Sequence, residues 1–173
     1  MFDLAVPVDP TDHSIGTAQA QLTLVEYGDF ECPNCKQAAP VVKLLLSHFS
    51  DRLRFVYRHF PLEEVHPHAL NAALAAECAG GQGRFWAMHD LLFEQQPSLD
   101  HEYLQAYAQR LKLDMTRFSA EMSNTIYLQR IREHMESGAR SGVRATPTFF
   151  INGKLHDVSF GIAGLFDAIE RAA

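Results

Sequence analysis

The sequence predicts an α/β domain: a mixed β-sheet flanked by helices, with an inserted α-helical domain. Between residues 22 and 60 an apolar run, a helical pattern and an alternating run follow one another. This is the order of a strand–helix–strand unit, whose two strands pair in parallel. Near the C-terminus a strand-like run ends in Asn152-Gly153, the strongest short signal for a β-hairpin. Because a hairpin adds antiparallel strands, we expect the sheet to be mixed.

The first three elements are predicted from their apolar patterns. Residues 22–27 (LTLVEY) are apolar and include β-branched side chains, which suits a buried strand. Helical spacing of apolar residues begins at Pro33 and continues to about His48. Residues 52–60 (RLRFVYRHF) mostly alternate apolar and charged side chains, which is the period of a strand.

The remaining elements are a series of helices and a closing hairpin. Helices are predicted at residues 66–80, 83–95, 101–113 and 114 to about 140, strands at 146–153 and 154–160, and a last helix at 164–173. The chain therefore divides into an N-terminal arm (residues 1–20), a sheet domain (residues 21–62 and 141–173) and a helical insertion (residues 63–140).

Composition and charge exclude several classes of partner. The 173 residues are 47% apolar, and a chain of this length buries about 70% of its unfolded surface, so a core forms without a metal or disulfide. The net charge of −6, with scattered basic residues, argues against nucleic acid and against an anionic membrane surface. The longest apolar stretches are far shorter than the roughly 20 residues of a membrane span.

The N-terminal residues predict no secretory signal, because Asp3 is acidic and neither a basic start nor an apolar core follows. Met1 has the character of a natural start. The sequence therefore predicts a cytoplasmic protein; the alternative is a periplasmic protein whose signal has been removed.

The motif that carries chemistry is CPNC, in which Pro33 and Asn34 separate Cys32 from Cys35. Cys32 is predicted at the cap of a helix and Pro33 in its first turn, where proline loses no hydrogen bond. Cys35 lies on the same helix face, which suits disulfide closure. Unpaired N–H groups and the helix dipole favour a thiolate at this place. We expect Cys32 to be exposed and acidic, with a pKa of roughly 3.5–7.5, and Cys35 to be a more buried resolving partner.

A zinc site is the alternative interpretation of the cysteine pair. Structural zinc takes four ligands, usually from two such pairs, and Cys78 is the one further cysteine. Cys78 with a histidine could complete a site, but a proline that opens a helix directly after a strand is typical of a redox motif. Cys78 shares an apolar stripe with Leu70 and Leu74 and is predicted to be a core residue. No metal ligand is therefore predicted.

Two separated motifs resemble the DsbA-like group of the thioredoxin superfamily. CPNCKQAAP resembles the active-site turn of that superfamily, with Pro40 at the position of the proline that kinks the helix. GVRATPTFFINGK looks like the second signature, a Thr-Pro beside the dithiol. With the helical insertion, the similarity covers nearly all of residues 10–173. It implies a thioredoxin-like fold in which the sheet domain is the thioredoxin-like domain.

The resemblance also implies roles for further residues. Pro147 would be a cis-proline, and Thr146 would offer backbone groups to an extended substrate strand. Glu26, six residues before Cys32, would be a buried acid beneath the dithiol, and Arg58 on the neighbouring strand would be its cationic partner. Such a carboxylate can relay the proton of thiol attack. The simpler interpretation of Glu26 and Arg58 is a salt bridge at a strand end without a catalytic role.

The activity implied is that of a thiol–disulfide oxidoreductase acting on protein thiols and disulfides. The redox-active Cys32–Cys35 disulfide would need no bound cofactor, and glutathione or a redox partner protein would complete the cycle. Two other classes remain: a chaperone-like or polypeptide-binding domain, and a glutathione-dependent transferase or isomerase, against which the intact cysteine pair counts.

The motif departs from that of the group at Asn34, because DsbA has a histidine at this position, in a CPHC motif. An amide brings no positive charge, so we predict that the pKa of Cys32 is lowered less than in the strongest oxidases. The reduction potential of the cysteine pair is then predicted to be less oxidising than theirs. The direction of exchange is left open by the sequence.

Overall fold

A mixed sheet forms the middle layer of the fold. The computed structural model describes residues 3–159 and 161–173, so Met1 and Phe2 of the predicted arm and Phe160 of the predicted last strand lie outside it. The strands are β1 (His13–Ile15), β2 (Leu22–Gly28), β3 (Leu53–His59), β4 (Thr148–Ile151) and β5 (Lys154–His156). Their order in the sheet is β1-β3-β2-β4-β5. The β2–β3 pair is parallel and the other pairs are antiparallel, which confirms the predicted mixed sheet.

Helices flank the sheet on both sides. They are α1 (Pro33–Phe49), α2 (Ala69–Gly80), α3 (Phe85–Glu94), α4 (His101–Arg110), α5 (Met115–Ser123), α6 (Leu128–Arg140) and α7 (Gly164–Ala172). The sequence predicts one helical segment from residue 114 to about 140, and the structure has two. Thr125 has a φ of 46°, and a residue in the left-handed region cannot continue a right-handed helix.

The strand register decides which side chains face which layer. Glu26 lies beside Tyr57, and Tyr27 lies beside Arg58. Because side chains alternate along a strand, the first pair faces one side of the sheet, here named the front face, and the second pair faces the back face. The front face packs against α1, α7 and the helices of the insertion in the main hydrophobic core.

The back face is covered by the N-terminal arm and by α6. Tyr27 donates to or accepts from Ser137 of α6, with 2.7 Å between the hydroxyl oxygens. Gly138 allows this close approach, because a Cβ there would lie 2.9 Å from the Phe60 ring and 3.0 Å from the Tyr27 ring. The division into arm, thioredoxin-like domain and insertion stays a prediction. Two features cross it: β1 of the arm pairs with β3, and α6 of residues 63–140 contacts the sheet.

Arg58 fastens the arm to the back face. Its Nε and Nη2 atoms donate to the two carboxylate oxygens of Asp12, each at 2.9 Å, and Nη1 donates to the carbonyl of Val6 at 2.9 Å. The side chains of Arg58 and Asp12 are only 3% and 4% exposed. A two-pronged ion pair of this kind fixes geometry as well as charge.

Arg58→Ala is expected to lower the free energy of unfolding by about 3–5 kcal/mol, because it leaves the Asp12 carboxylate buried without its partner. Arg132→Ala is the control: Arg132 pairs with Glu63 at the surface, where both side chains are more than a third exposed, so a loss below about 1 kcal/mol is expected. Urea unfolding measures both variants. Equal losses would contradict the assignment of Arg58 as the anchor of the arm.

Candidate active site

Cys32 lies at the end of the loop that connects β2 to α1. It is the N-cap residue of α1, with an extended backbone (φ −76°, ψ 122°), and Pro33 is the first helical residue. Its carbonyl accepts the first helical hydrogen bond from the Lys36 N–H, at 3.2 Å. The following N–H groups are not used within the helix and point toward the cap.

Asp29 organises the loop that leads into Cys32. Its carboxylate accepts the N–H groups of Glu31 and Leu62, at 2.7 and 2.9 Å, and contacts the His66 ring at 2.7 Å. The Cys32 N–H donates to the Asp29 carbonyl at 3.1 Å. Asp29 is not among the site residues predicted from the sequence, although an aspartate two residues before a turn N–H is a recognisable turn signal.

Gln96, between α3 and α4, joins the helical insertion to the same loop. Its side-chain amide donates to the carbonyls of Phe30 and Cys32, at 2.6 and 3.2 Å. Its own carbonyl accepts from the Lys36 ammonium at 3.3 Å. No pattern in the sequence indicates this contact, because 64 residues separate Gln96 from Cys32.

The two cysteines differ in exposure. Cys32, Cys35 and Cys78 are free thiols; Cys32 is 5% exposed and Cys35 is fully buried. The expectation of an exposed Cys32 is wrong, because the Thr146 backbone lies against it, with 3.4 Å between the sulfur and the Thr146 carbonyl oxygen. The more buried position of Cys35 is confirmed.

Hydrogen bonds to its sulfur lower the pKa of Cys32 to about 5, against the raising effect of burial. The largest contribution comes from the Cys35 side chain, and the Thr146 side chain and the backbone N–H groups of Cys35 and Asn34 add to it. Burial raises the pKa of Cys35 well above its ordinary value, and the bond to Cys32 raises it further. One sulfur is therefore prepared to be a thiolate and the other to remain a thiol.

Thr146 and Pro147 lie beside Cys32. The peptide bond between them is cis, and Thr146 is buried. A groove of about 460 Å³ begins here and is lined by Asn34, Gln37, Arg144, Pro147, His156 and Ile162, among others. Asn34 thus presents its backbone N–H to Cys32 and its exposed side chain to the groove.

Glu26 lies beneath the dithiol on the front face. It is 2% exposed, and burial, with a smaller effect of the Cys32 charge, raises its pKa to about 8. The prediction that Arg58 is its cationic partner is wrong. The register places Arg58 beside Tyr27 on the back face, where Asp12 binds it.

The sequence also predicts that Cys78 is a core residue, and it raises the alternative of a metal site. Cys78 in α2 is fully buried, which confirms the predicted core position. Within residues 3–159 and 161–173, no three side chains of His, Cys, Asp or Glu converge as they would around a metal ion.

Glu26→Gln is expected to stabilise the reduced protein at pH 9 and to change little at pH 5. The folded-state pKa of Glu26, about 8, lies above its ordinary value of 4.5. Stability is therefore complete below about pH 4.5 and declines up to about pH 8, as the unfolded chain ionises first. A pKa difference of one unit corresponds to about 1.4 kcal/mol, so the gain at pH 9 is on the order of 5 kcal/mol.

Urea unfolding at the two pH values measures this difference, with the exposed Glu94 changed to Gln as the control. A gain of the same size at pH 5 would show that charge burial is not its cause.

Known protein structures share this fold over nearly the whole chain. Oxidised BdbD from Bacillus subtilis superimposes with a TM-score of 0.87 at 21% identity, covering 99% of this chain and 97% of that one. A thioredoxin-like oxidoreductase from Silicibacter pomeroyi DSS-3 gives 0.83 at 27% identity, covering 95% and 93%. DsbA2 from Pseudomonas aeruginosa gives 0.75 at 27% identity, covering 96% and 97%.

Curated relatives by sequence are much longer proteins. The chain is 49% identical over 173 residues to Na⁺/H⁺ antiporter NhaA 1 of Salinispora arenicola, and 45% identical over 152 residues to Na⁺/H⁺ antiporter NhaA of Herminiimonas arsenicoxydans. These matches cover 99% and 87% of this chain but 26% and 24% of the relatives, so the chain spans about a quarter of their length. In the part of the chain that the structure describes, no helix is long and apolar enough to cross a membrane.

The family model described as thioredoxin matches residues 8–171. This range contains the sheet, the dithiol and the Thr146–Pro147 loop. Together with the superposition on DsbA proteins, it shows that the chain belongs to the thioredoxin family and is a DsbA-like member of its superfamily.

Proposed function

We propose that this protein is a thiol–disulfide oxidoreductase that exchanges dithiols and disulfides with protein substrates through Cys32 and Cys35. The observation that carries the proposal is the environment of the Cys32 sulfur, which receives hydrogen bonds from Cys35 and from the first turn of α1. A pKa of about 5 makes Cys32 mostly thiolate at neutral pH, and the thiolate is the nucleophile in this chemistry.

In the reducing direction the Cys32 thiolate attacks a substrate disulfide. A Cys32–substrate S–S bond forms, the substrate S–S bond breaks, and one substrate sulfur leaves as a thiolate. Cys35 then gives its proton to the Glu26 carboxylate and attacks the Cys32 sulfur, which releases the second substrate thiolate. The electrons reside on the sulfurs throughout, so the cycle needs no bound cofactor.

In the oxidising direction the same exchange steps run in the opposite order. A substrate thiolate attacks the Cys32 sulfur of the disulfide, and Cys35 leaves and takes up a proton from the Glu26 carboxyl. A second substrate thiolate attacks the substrate sulfur, which forms the substrate disulfide and returns Cys32 as a thiolate.

The substrate lies along Thr146 and Pro147 in this proposal. An extended polypeptide can bond with backbone groups of Thr146, beside the Cys32 sulfur, and continue into the adjoining groove. Backbone recognition of this kind accepts many sequences, which fits protein thiols and disulfides as the substrate class.

The low pKa of Cys32 favours donation of disulfides. Stabilising the thiolate stabilises the reduced protein and so makes its disulfide more oxidising. A glutathione-buffered cytoplasm would keep such a pair reduced, where it would act as a reductase or isomerase. We therefore propose that the protein donates disulfides in the periplasm, and that a redox partner protein or glutathione recycles it. The cytoplasmic location expected from the sequence stays the alternative prediction.

The antiport named for the curated relatives belongs to proteins about four times as long as this chain. We propose that this chain shares with them its thioredoxin-family part and the dithiol chemistry, and that ion transport is a property of the longer proteins.

The reduction potential of Cys32–Cys35 tests the direction. We expect a value between those of thioredoxin, about −270 mV, and DsbA, about −120 mV, because the Cys32 pKa is lowered without a charged neighbour in the motif. Equilibration with glutathione measures it. A potential at or below that of thioredoxin would contradict disulfide donation.

Cys35→Ala is expected to raise the pKa of Cys32 by at least about one unit, because it removes the principal hydrogen-bond donor to the sulfur. Cys35→Ser retains an O–H donor and is the matched control, with a smaller rise expected. Thiolate absorbance as a function of pH measures both. An unchanged Cys32 pKa in Cys35→Ala would contradict the proposed activation.

Cys32→Ala distinguishes turnover from simple polypeptide binding. We expect the variant to lose insulin reduction entirely, while Cys35→Ala accumulates a mixed disulfide with substrate. If the unmodified protein shows no turnover, and Cys32→Ala binds unfolded chains as well as it does, the chaperone-like alternative replaces the proposal.

A further inference from the structure

A small cavity of about 50 Å³ lies on the front face next to Glu26. Its lining includes Lys43 of α1 and the neighbouring residues His89 and Asp90 of α3, and the rest is mainly apolar. One water molecule needs roughly 10–15 Å³, so the cavity has room for water. Lys43 and Asp90 form a surface pair at 3.4 Å, 56% and 38% exposed, which places the outer end of the cavity at solvent.

Two buried polar atoms belong to the residues that line this cavity. Glu26 Oε1 and His89 Nε2 are inaccessible to solvent and have no hydrogen-bond partner among the residues that the structure describes. A buried polar atom without a partner costs about 1–3 kcal/mol. A single water between the two atoms would satisfy both.

The tautomer of His89 makes Nε2 an acceptor. Nδ1 lies 2.9 Å from Asp90 Oδ1, and an ionised carboxylate only accepts hydrogen bonds, so Nδ1 carries the proton and Nε2 keeps its lone pair. Burial lowers the pKa of His89, which keeps the ring neutral. The ring is held edge-on against Tyr57, with 4.8 Å between the centroids.

We propose that His89 holds a water molecule beside Glu26, and that the Glu26 proton leaves through this water to solvent between Lys43 and Asp90. His89 is a positioning residue here, because it acts through the water and not on sulfur. The inference rests on the proposed exchange activity and adds to it the path by which Glu26 is returned to a carboxylate.

The path completes the proton balance of the resolving step. Cys35 gives its proton to the Glu26 carboxylate, and its electron pair forms the Cys32–Cys35 bond. The bond from Cys32 to the substrate sulfur breaks, and that sulfur leaves as a thiolate. Glu26 then passes its proton to the water, which releases one proton to solvent.

The titratable and charged groups around Glu26 come from three elements. They are Cys32 at the N-cap of α1, Cys35 and Lys43 within α1, Tyr57 of β3, and His89 and Asp90 of α3. Burial raises the pKa of Tyr57 well above its ordinary value, so the phenol stays protonated near neutral pH and does not compete for the proton.

The reaction of the reduced protein with 5,5′-dithiobis(2-nitrobenzoate) separates the two thiol steps. Attack by Cys32 releases one nitrothiobenzoate, and attack by Cys35 on the resulting mixed disulfide releases a second. The first release reports the Cys32 thiolate, and the second reports the loss of the Cys35 proton to Glu26.

His89→Phe keeps an aromatic ring in the core and removes the acceptor. We expect it to slow the second release by about tenfold, a fraction of what general-base catalysis supplies. In His89→Gln the side-chain oxygen reaches the position of Nε2, so the second release should be restored to within about threefold. The exposed His101 changed to Phe is the matched control and should alter neither release.

Glu26→Gln supplies the coupling test. If His89 acts through the Glu26 proton, His89→Phe adds no further slowing in the Glu26→Gln background. The second release of the unmodified protein should also become faster with rising pH, as Glu26 ionises, and slower in deuterium oxide, and neither measurement requires a variant.

The outcomes separate this inference from the proposed function. Equal slowing by His89→Phe with and without Glu26, or a second release insensitive to deuterium oxide, would overturn the water path and leave the exchange activity standing. Failure of the unmodified protein to release the first nitrothiobenzoate would overturn the proposed function itself.

Discussion

The interaction of the Cys35 side chain with the Cys32 sulfur, which lowers the pKa of Cys32 more than any other contact, is the one on which the site depends. It exists because a C-x-x-C spacing brings both sulfurs to one face of the first turn of α1, with Cys32 at the cap. It separates two chemically equal thiols into a thiolate with a pKa of about 5 and a thiol with a raised pKa. The Thr146 loop and the Gln96 side chain then hold that turn in place.

Two buried glutamates, Glu77 and Glu26, have pKa shifts in opposite directions because their partners differ. Glu77 contacts His13 and Arg130, at 2.6 and 2.5 Å. Its interactions with His13 and His59 hold its pKa far below the ordinary value, even though burial acts the other way. Glu26 has no such partner within the described part of the chain, and burial raises its pKa to about 8. A carboxyl that stabilised the fold by pairing would be a poor acceptor for the Cys35 proton, so the isolation of Glu26 is what suits it to the proposed relay.

The alternation of side chains along β2 and β3 places the residues near the dithiol on one face of the sheet and the residues that hold the arm on the other. Glu26 and Tyr57 face the dithiol, whereas Tyr27 and Arg58 face the arm and α6. The sequence shows Arg58 on a strand next to Glu26, and a charge pair between neighbouring strands is a reasonable expectation. The exact register turns this arginine to the other face, where it binds Asp12 instead.

Local patterns in the sequence determined the strand–helix–strand unit, the cap position of Cys32, the greater burial of Cys35 and the core position of Cys78. Each of these depends on hydrogen bonds or side-chain periods within a few residues, which a sequence displays directly. Only the tertiary structure decided the partner of Arg58, the cover over Cys32, the contact from Gln96 and the cavity between Glu26 and His89. These depend on how the arm, the Thr146 loop and the helical insertion pack against distant parts of the sheet, across 46 to 114 residues of chain, and no local pattern carries that information.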